Sequence, residues 1–230
     1  MLLPRECIVC GRQLVPREEM LCIWCAADLP LTYTWELPFN IMANRFNETL
    51  ERARAPDEQL EYAYAASLLY YHHENPYKRI PQVLKYEGNV KAGRWFAQIL
   101  GTHMARAPHF ANIDTVIPVP LHWARRFKRG YNQAQVIAEQ LAKALGANLR
   151  TDVLRRRRRT STQTHLDAEG RLNNIRGAFE LRHAFPCKHI LIVDDTFTTG
   201  ATLAECYMLL RRTLGPSVRI SVATLAMVET

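Results

Sequence analysis

The 230-residue sequence has no uninterrupted apolar run near the roughly 18 residues that a bilayer span requires. Its first residues, Met1-Leu2-Leu3-Pro4-Arg5-Glu6-Cys7, lack the charged-then-apolar order of a secretory signal. A membrane span is therefore excluded, and a cytoplasmic location is expected. No G-x4-G-K-[ST] segment occurs, which argues against a Walker-type ATPase loop. No internal repeat is evident, so a repeat array is not expected. Cysteine is absent between Cys25 and Cys187, and acidic residues are scarce between Pro120 and Thr160, where only Glu139 and Asp152 occur.

That local shortage of acids matters because the same stretch holds eleven Arg or Lys: Arg125, Arg126, Lys128, Arg129, Lys143, Arg150 and the run Arg155 to Arg159. The segment carries +9 of a net charge of +8, which leaves the rest of the chain at about −1. Basicity confined to one region points to an anionic ligand met there, rather than to general adhesiveness. Apolar residues make up 48% and charged residues 23%, the composition of an ordinary soluble globular protein. The length suits one large domain with a small appendage.

The appendage is legible in the cysteines. Cys7, Cys10, Cys22 and Cys25 are spaced C-x2-C-x11-C-x2-C. Each C-x2-C places two sulfurs on one side of a tight knuckle, and two knuckles form a tetrahedral S4 cage suited to Zn²⁺. With no secretory signal, metal binding outranks disulfides. A segment this short buries no core of its own, and structural zinc is worth about 10–16 kcal/mol in small fingers. One structural zinc on residues 1–30 is expected. Residues 31–75 read as a linker or hood-like region with no evident chemistry, and residues 76–230 as the main domain.

Within these, Glu48 to Arg54 resembles a short charged helix, Ala63 to Tyr71 a strand, and Tyr77 to Tyr86 and Val90 to Met104 two helices. Thr115 to Pro120 reads as a short apolar strand ended by prolines. Ala134, Ile137, Ala138, Leu141, Ala144 and Leu145 form one apolar face of a helix. His189 to Val193 reads as a buried strand, and Leu203, Tyr207, Leu210 and Leu214 mark a helix stopped by Gly215-Pro216. Val218, Ile220 and Val222 close with a strand. Alternating strands and helices predict an α/β fold with a mostly parallel sheet.

The chemistry concentrates after the His189–Val193 strand, at Asp194-Asp195-Thr196-Phe197-Thr198-Thr199-Gly200-Ala201-Thr202. In open parallel sheets ligands bind beyond the carboxyl ends of strands, where helix N-termini direct partial positive charge outward. A phosphate there would meet backbone N–H groups near Thr198 to Ala201 and the hydroxyls of Thr198, Thr199 and Thr202, while Gly200 permits close approach. Asp194 and Asp195 could accept hydrogen bonds from vicinal sugar hydroxyls or touch a Mg²⁺ shell. A response-regulator receiver also places Val-Asp-Asp at a strand end, but it needs several further strands, and 35 residues follow Asp195 here. A simple helix cap after a buried strand is the bland alternative, yet two acids, four threonines and a glycine exceed what capping requires.

This run resembles the phosphoribosyl-diphosphate (PRPP) motif of type I phosphoribosyltransferases. Upstream, Pro118-Val119-Pro120-Leu121-His122 with Arg125 and Arg129-Gly130-Tyr131-Asn132-Gln133-Ala134 is similar to the signature of the ComF family of competence-associated proteins. Lys85-Tyr86-Glu87-Gly88, Arg159-Thr160, Gln163-Thr164, Arg171 and Gly177-Ala178-Phe179 fit the same family, as does the N-terminal ribbon. Many relatives carry a second four-cysteine ribbon, which residues 26–62 lack. The resemblance implies a type I phosphoribosyltransferase-like parallel sheet flanked by helices, behind a small zinc ribbon. It implies that PRPP, or a related phosphosugar or nucleotide, binds with Mg²⁺. Asp194 and Asp195 would be catalytic, and Thr196, Thr198, Thr199, Gly200, Ala201 and Thr202 would hold the ligand. A loop over Leu121 to Asn132, with His122, Arg125 and Arg129, would take the pyrophosphate, and a mobile loop over Arg155 to Arg171, with Arg159, Gln163 and Arg171, would close over the ribose. It further implies association with DNA uptake, single-stranded DNA and uptake machinery including a helicase-like partner. Two classes stay open: a phosphoribosyltransferase of unknown acceptor, and a non-catalytic DNA-uptake factor on the same fold. Against direct DNA binding, the basic segment has few interleaved aromatics, namely Trp123, Phe127 and Tyr131.

Overall fold

The computed structural model describes residues 5–158 and 168–229. The cysteine-rich N-terminus makes two tight turns and the short helix α1 (Ile23–Ala27). Next come α2 (Ile41–Ala53), β1 (Ala65–Tyr71), α3 (Arg79–Tyr86) and α4 (Val90–Met104). β2 (Thr115–Pro118), α5 (Trp123–Arg129), α6 (Gln133–Leu145) and the two-residue β3 (Asn148–Leu149) follow. β4 (Leu154–Arg156) and α7 (Ala168–Ile175) precede β5 (Phe179–Leu181), which pairs antiparallel with β4. The described chain closes with β6 (His189–Phe197), α8 (Ala201–Leu214) and β7 (Arg219–Val228).

β1, β7, β6, β2 and β3 lie side by side in that order, and every pairing is parallel. A parallel sheet buried on both faces needs continuous apolar strands rather than alternating ones, and Ile190 to Val193 are all buried. Leu191, Val193 and Ala223 pack with residues of α3, α4 and α6 on one face. Ile190, Ile192 and Val222 pack with residues of α2 and α8 on the other. The α/β fold expected from the alternation is the one observed.

Three helices open on asparagine caps: Asn40, Asn89 and Asn132 accept from the N–H groups of Ala43, Ala92 and Ala134. The Asn40 cap explains why α2 begins at Ile41, well before the charged stretch from Glu48. Met42, Phe46 and Leu50, four apart, then bury one face of it. Residues 31–75 do not stand apart from the sheet, for they supply α2 and the edge strand β1. Residues 30–34 run along that edge, where Leu31 bridges Leu69 and Thr32 N donates to the Leu68 carbonyl.

Two segments expected as loops contain regular elements among their described residues. Leu121 to Asn132 contains the seven-residue α5, because Ala124, Arg125, Arg126 and Lys128 are good helix formers between Pro120 and Gly130. Arg155 to Arg171 starts as the β4 strand paired to β5 and ends inside α7. Arg159 and Gln163 lie outside the described residues. β6 also runs four residues past Val193, to Phe197, because β7 keeps pairing with it.

At the opposite end of the sheet the His189 ring is buried, its Nε2 2.9 Å from Ser221 Oγ and its Nδ1 3.3 Å from the Ala111 carbonyl oxygen. Burial holds this imidazole down at about 4. An unfolded histidine titrates near pH 6.5. Between those values the unfolded chain binds the extra proton, so stability falls as pH is lowered through the window. The component from this group should be about 2–3 kcal/mol between pH 7 and pH 4.5, and His189→Gln should lack it. Urea melts of both proteins at the two pH values check this; equal losses would refute the assignment.

Candidate functional site

Chain direction reverses between β2 and β6. β2 leads through α6 to β3 on one side of the sheet, and β6 leads through α8 to β7 on the other. Such a switch point opens a crevice at the carboxyl ends of the two strands. Pro118 is opposite Val193, and Val119 N donates to the Val193 carbonyl at 2.8 Å. There β2 turns away while β6 continues beside β7 alone, with Asp194 opposite Thr224 and Thr196 opposite Ala226. Asp194, Asp195 and Thr196 thus occupy an edge of β6 that has no strand partner along the crevice.

Side chains alternate across a strand, so the two aspartates face different layers. Asp195 follows Leu191 and Val193 toward α3, where its Oδ1 lies 3.0 Å from Lys85 Nζ. The same ammonium donates to Thr196 Oγ1 at 2.9 Å. Burial acts to lower the Lys85 ammonium, but Asp195 and Asp194 outweigh it and hold it above the ordinary lysine range. Asp194 follows Ile190 and Ile192 toward α8. Burial and then the Asp195 carboxylate push Asp194 up to about 7, although it accepts from Asp195 N at 2.8 Å. One carboxyl is thus paired with a cation, and the other, buried beside it, holds its proton more tightly than an ordinary carboxyl.

The loop after β6 is held from outside by α2. Arg45 donates to the carbonyls of Thr198 at 2.9 Å and Val228 at 2.8 Å, with its guanidinium 5.3 Å from the Phe197 ring centroid. Thr49 Oγ1 donates to the Thr199 carbonyl at 2.8 Å. Gly200 has φ +76°, and a Cβ there would sit 2.8 Å from the Phe197 ring and 3.3 Å from Phe46. Any side chain at this position is therefore doubly penalised. Unlike α2, α4 and α6, α8 has no side-chain cap among the described residues. The N–H groups at its start, including those of Ala201 and Thr202, lack intrahelical partners and remain for an acceptor. Thr198 is exposed, and Thr199 and Thr202 are partly exposed.

Across the crevice, His122 is buried and accepts from Ala124 N at 3.3 Å, opening α5. Arg129 Nη1 donates to Gln133 Oε1 at 3.1 Å, and the guanidinium lies 5.6 Å from the Tyr86 ring centroid. Asn132 Nδ2 donates to the Val119 carbonyl at 2.9 Å, tying the end of β2 to the start of α6. Arg125 lies in α5 and Arg171 in α7. Arg45 and Thr49 escaped the sequence reading, since nothing in their spacing distinguishes them from a charged surface helix. Lys85 stood in a recognisable motif but had no role until α3 was placed beside β6.

The four cysteines converge. Their sulfurs all lie within 4.8 Å of one another, and Cys10 Sγ is 3.7 Å from Cys22 Sγ. A tetrahedron with about 2.3 Å metal–sulfur bonds has edges of about 3.8 Å, whereas a disulfide needs about 2.05 Å. The donor set fits zinc, which Cys7, Cys10, Cys22 and Cys25 could hold as a cross-link. Burial acts upward on Cys7, but the N–H groups of Cys10, Cys22 and Val9 bring it down to about 7, toward the ligating thiolate. The ribbon is docked: Cys7, Leu14, Leu21 and Cys22 join the core on the α3–α4 face, and Tyr77 Oη donates to the Cys25 carbonyl at 3.0 Å. No helix among the described residues is long and apolar enough to cross a membrane.

The fold and the cysteine cluster define an α/β protein with a parallel sheet, a crevice at its switch point and a metal-type ribbon. No family model matches the chain. The chain is 33% identical over 152 residues to Competence protein F of Haemophilus influenzae, covering 61% of this chain and 64% of that protein. It is 38% identical over 107 residues to DNA utilization protein YhgH of Salmonella typhi, covering 46% and 47%. To the protein of that name from Escherichia coli it is 34% identical over 118 residues, covering 51% and 52%. These likenesses to a competence protein and to DNA utilization proteins support the ComF resemblance, and the chain matches about half to just under two thirds of the length of these relatives.

The ribbon geometry predicts about one zinc per chain. Stripping it with a chelator should expose all four thiols to a thiol reagent and lower the melting temperature. Metal analysis giving far less than one equivalent, with four freely titratable thiols before chelation, would overturn the assignment.

Proposed function

We propose that the crevice binds PRPP, or a related phosphosugar or nucleotide, as its Mg²⁺ complex, and that this phosphoribosyltransferase-like chain serves DNA uptake or utilization. One observation carries the ligand reading: a carboxylate pair and the uncapped N-terminus of α8 lie on one strand–loop–helix unit at the switch point of the sheet. The names of the relatives, Competence protein F and DNA utilization protein YhgH, support the biological part.

In this reading the N–H groups and hydroxyls from Thr198 to Thr202 receive the 5-phosphate, and Asp194 and Asp195 accept the ribose hydroxyls. The pyrophosphate lies toward α5 and Arg129, where positive charge neutralises the leaving group. If the protein turns over, the C1–O bond breaks with its electron pair leaving on pyrophosphate, and an acceptor nucleophile bonds to C1 and releases its proton. Asp194, pushed up to about 7, suits that proton. The chain's task is then to position the reactants and stabilise charge.

A second reading, single-stranded DNA on α5, is favoured by Trp123 and Phe127. These rings are four residues apart on a basic helix and 73% and 90% exposed. Stacking on exposed rings is worth about 1–3 kcal/mol per base.

Calorimetry should detect PRPP binding that Mg²⁺ strengthens, and Asp194→Asn with Asp195→Asn should weaken it at least a hundredfold, about 3 kcal/mol. Unchanged binding in the double variant would place the ligand elsewhere. Trp123→Ala with Phe127→Ala should weaken single-stranded DNA without changing PRPP affinity. DNA binding should also fall steeply with salt, at about −0.7 per phosphate contact. Tight DNA binding with no PRPP binding at all would leave only the second reading.

A further inference from the structure

Lys85 is unusual in its setting. It sits in the last turn of α3, 111 residues from Thr196, and its neighbours are held from several directions. Leu84 is buried, and its carbonyl accepts from Tyr131 Oη. Gly93 of α4 lets Leu84 approach so closely that an added Cβ would lie 2.5 Å from Leu84 Cδ1. On the other side, Tyr86 lies against the Arg129 guanidinium. The backbone at position 85 is therefore fixed, and the lysine side chain spans from α3 to the edge of β6. Its ion pair with Asp195 is no surface pair, with the two side chains only 23% and 17% exposed.

Two adjacent carboxylates at a crevice mouth would attract divalent cations and repel an anion. The Lys85 ammonium offsets one of those charges and uses two of its three N–H donors on Asp195 and Thr196. Among the described residues the third has no partner. A metal ion bound to these carboxylates would have to displace the ammonium first.

We propose that Lys85 is the resident counter-cation of the crevice, occupying the place beside Asp195 that a divalent metal would take and offering its third N–H to an oxygen of the bound anion. The identity of that anion rests on the reading above. The Mg²⁺ that accompanies PRPP then rides on the ligand's own diphosphate oxygens, and Lys85 is a positioning residue rather than a catalytic one.

The test has one arm with metal alone and one with PRPP, both on the zinc-loaded full chain. Manganese binding is followed from the free-ion electron paramagnetic resonance signal for the wild type, Lys85→Arg, Lys85→Met and Lys85→Met with Asp195→Asn. The wild type and Lys85→Arg should show no tight Mn²⁺. Lys85→Met should gain about one site at least tenfold tighter, which the added Asp195→Asn removes. In calorimetry without divalent ions, Lys85→Met should bind PRPP at least tenfold more weakly than the wild type, with Mg²⁺ restoring most of the loss and Lys85→Arg staying within about threefold. No gain of Mn²⁺ in Lys85→Met, or equal PRPP losses with and without Mg²⁺, would reduce Lys85 to a structural strut and overturn the proposal. If Lys85→Met unfolds, Lys85→Gln takes its place with the same expected outcomes. If the wild type binds no PRPP under any condition, the ligand reading fails while the manganese arm still decides the role of Lys85.

Discussion

The separation of β2 from β6 just beyond Pro118 governs the crevice. Successive N–H groups of a strand point to alternate sides. Because Val119 N is given to Val193 of β6, the nitrogens of Pro118 and Pro120 face the β3 side, where β3 has already ended at Leu149. Prolines are tolerated there because the ladder asks nothing of them, and beyond Pro120 the chain leaves the sheet for α5. β6 keeps its β7 partner and continues to Phe197. Without that mismatch in strand length, Asp194 to Thr196 would be paired on both edges and closed to a ligand.

The residues that shape the site come mostly from outside the strand–loop–helix unit that displays it. α2 restrains the Thr198–Thr199 carbonyls through Arg45 and Thr49, and α3 supplies the cation beside Asp195. α6 binds the end of β2 through Asn132. Each contact joins segments far apart in sequence. The rigidity of the crevice is thus a property of both helical layers, and the ribbon contributes by packing Leu14 and Leu21 into the layer that carries Lys85.

Sequence periodicity shows which parts of such a fold are legible. Continuous apolar runs such as Ile190 to Val193, and helices with clear caps such as Gln133–Leu145, could be read directly because burial on both faces and an Asn cap leave local marks. The cysteine spacing was equally plain, since a metal cage constrains residues close in the chain. The boundaries that differed depend on distant partners. β6 lengthens because β7 pairs with it, and Arg155 joins a strand because Glu180 of β5 is opposite. The helix over Trp123–Arg129 was hidden by its charge, since its two aromatic residues, Trp123 and Phe127, stay exposed and mark no buried face. Lys85 and Arg45 act through long side chains across layers, which leaves no trace in local patterning.

The edge strand β1 pairs with β7, the last strand of the described chain: Ala65 lies opposite Val222, and the buried hydroxyls of Ser67 and Thr224 meet across 157 residues. During synthesis the N-terminal knuckles can take up metal as soon as Cys25 emerges, whereas β1 waits for β7, 157 residues further on at the Ser67–Thr224 contact, before its partner exists. Contacts of such long sequence separation form slowly because the intervening loop must close first. The growing chain therefore carries a finished ribbon joined to an unfinished sheet edge, with residues 30–34 already able to lie along β1. That segment is an internal shield, screening on one side a strand that would otherwise present unpaired backbone to neighbouring chains.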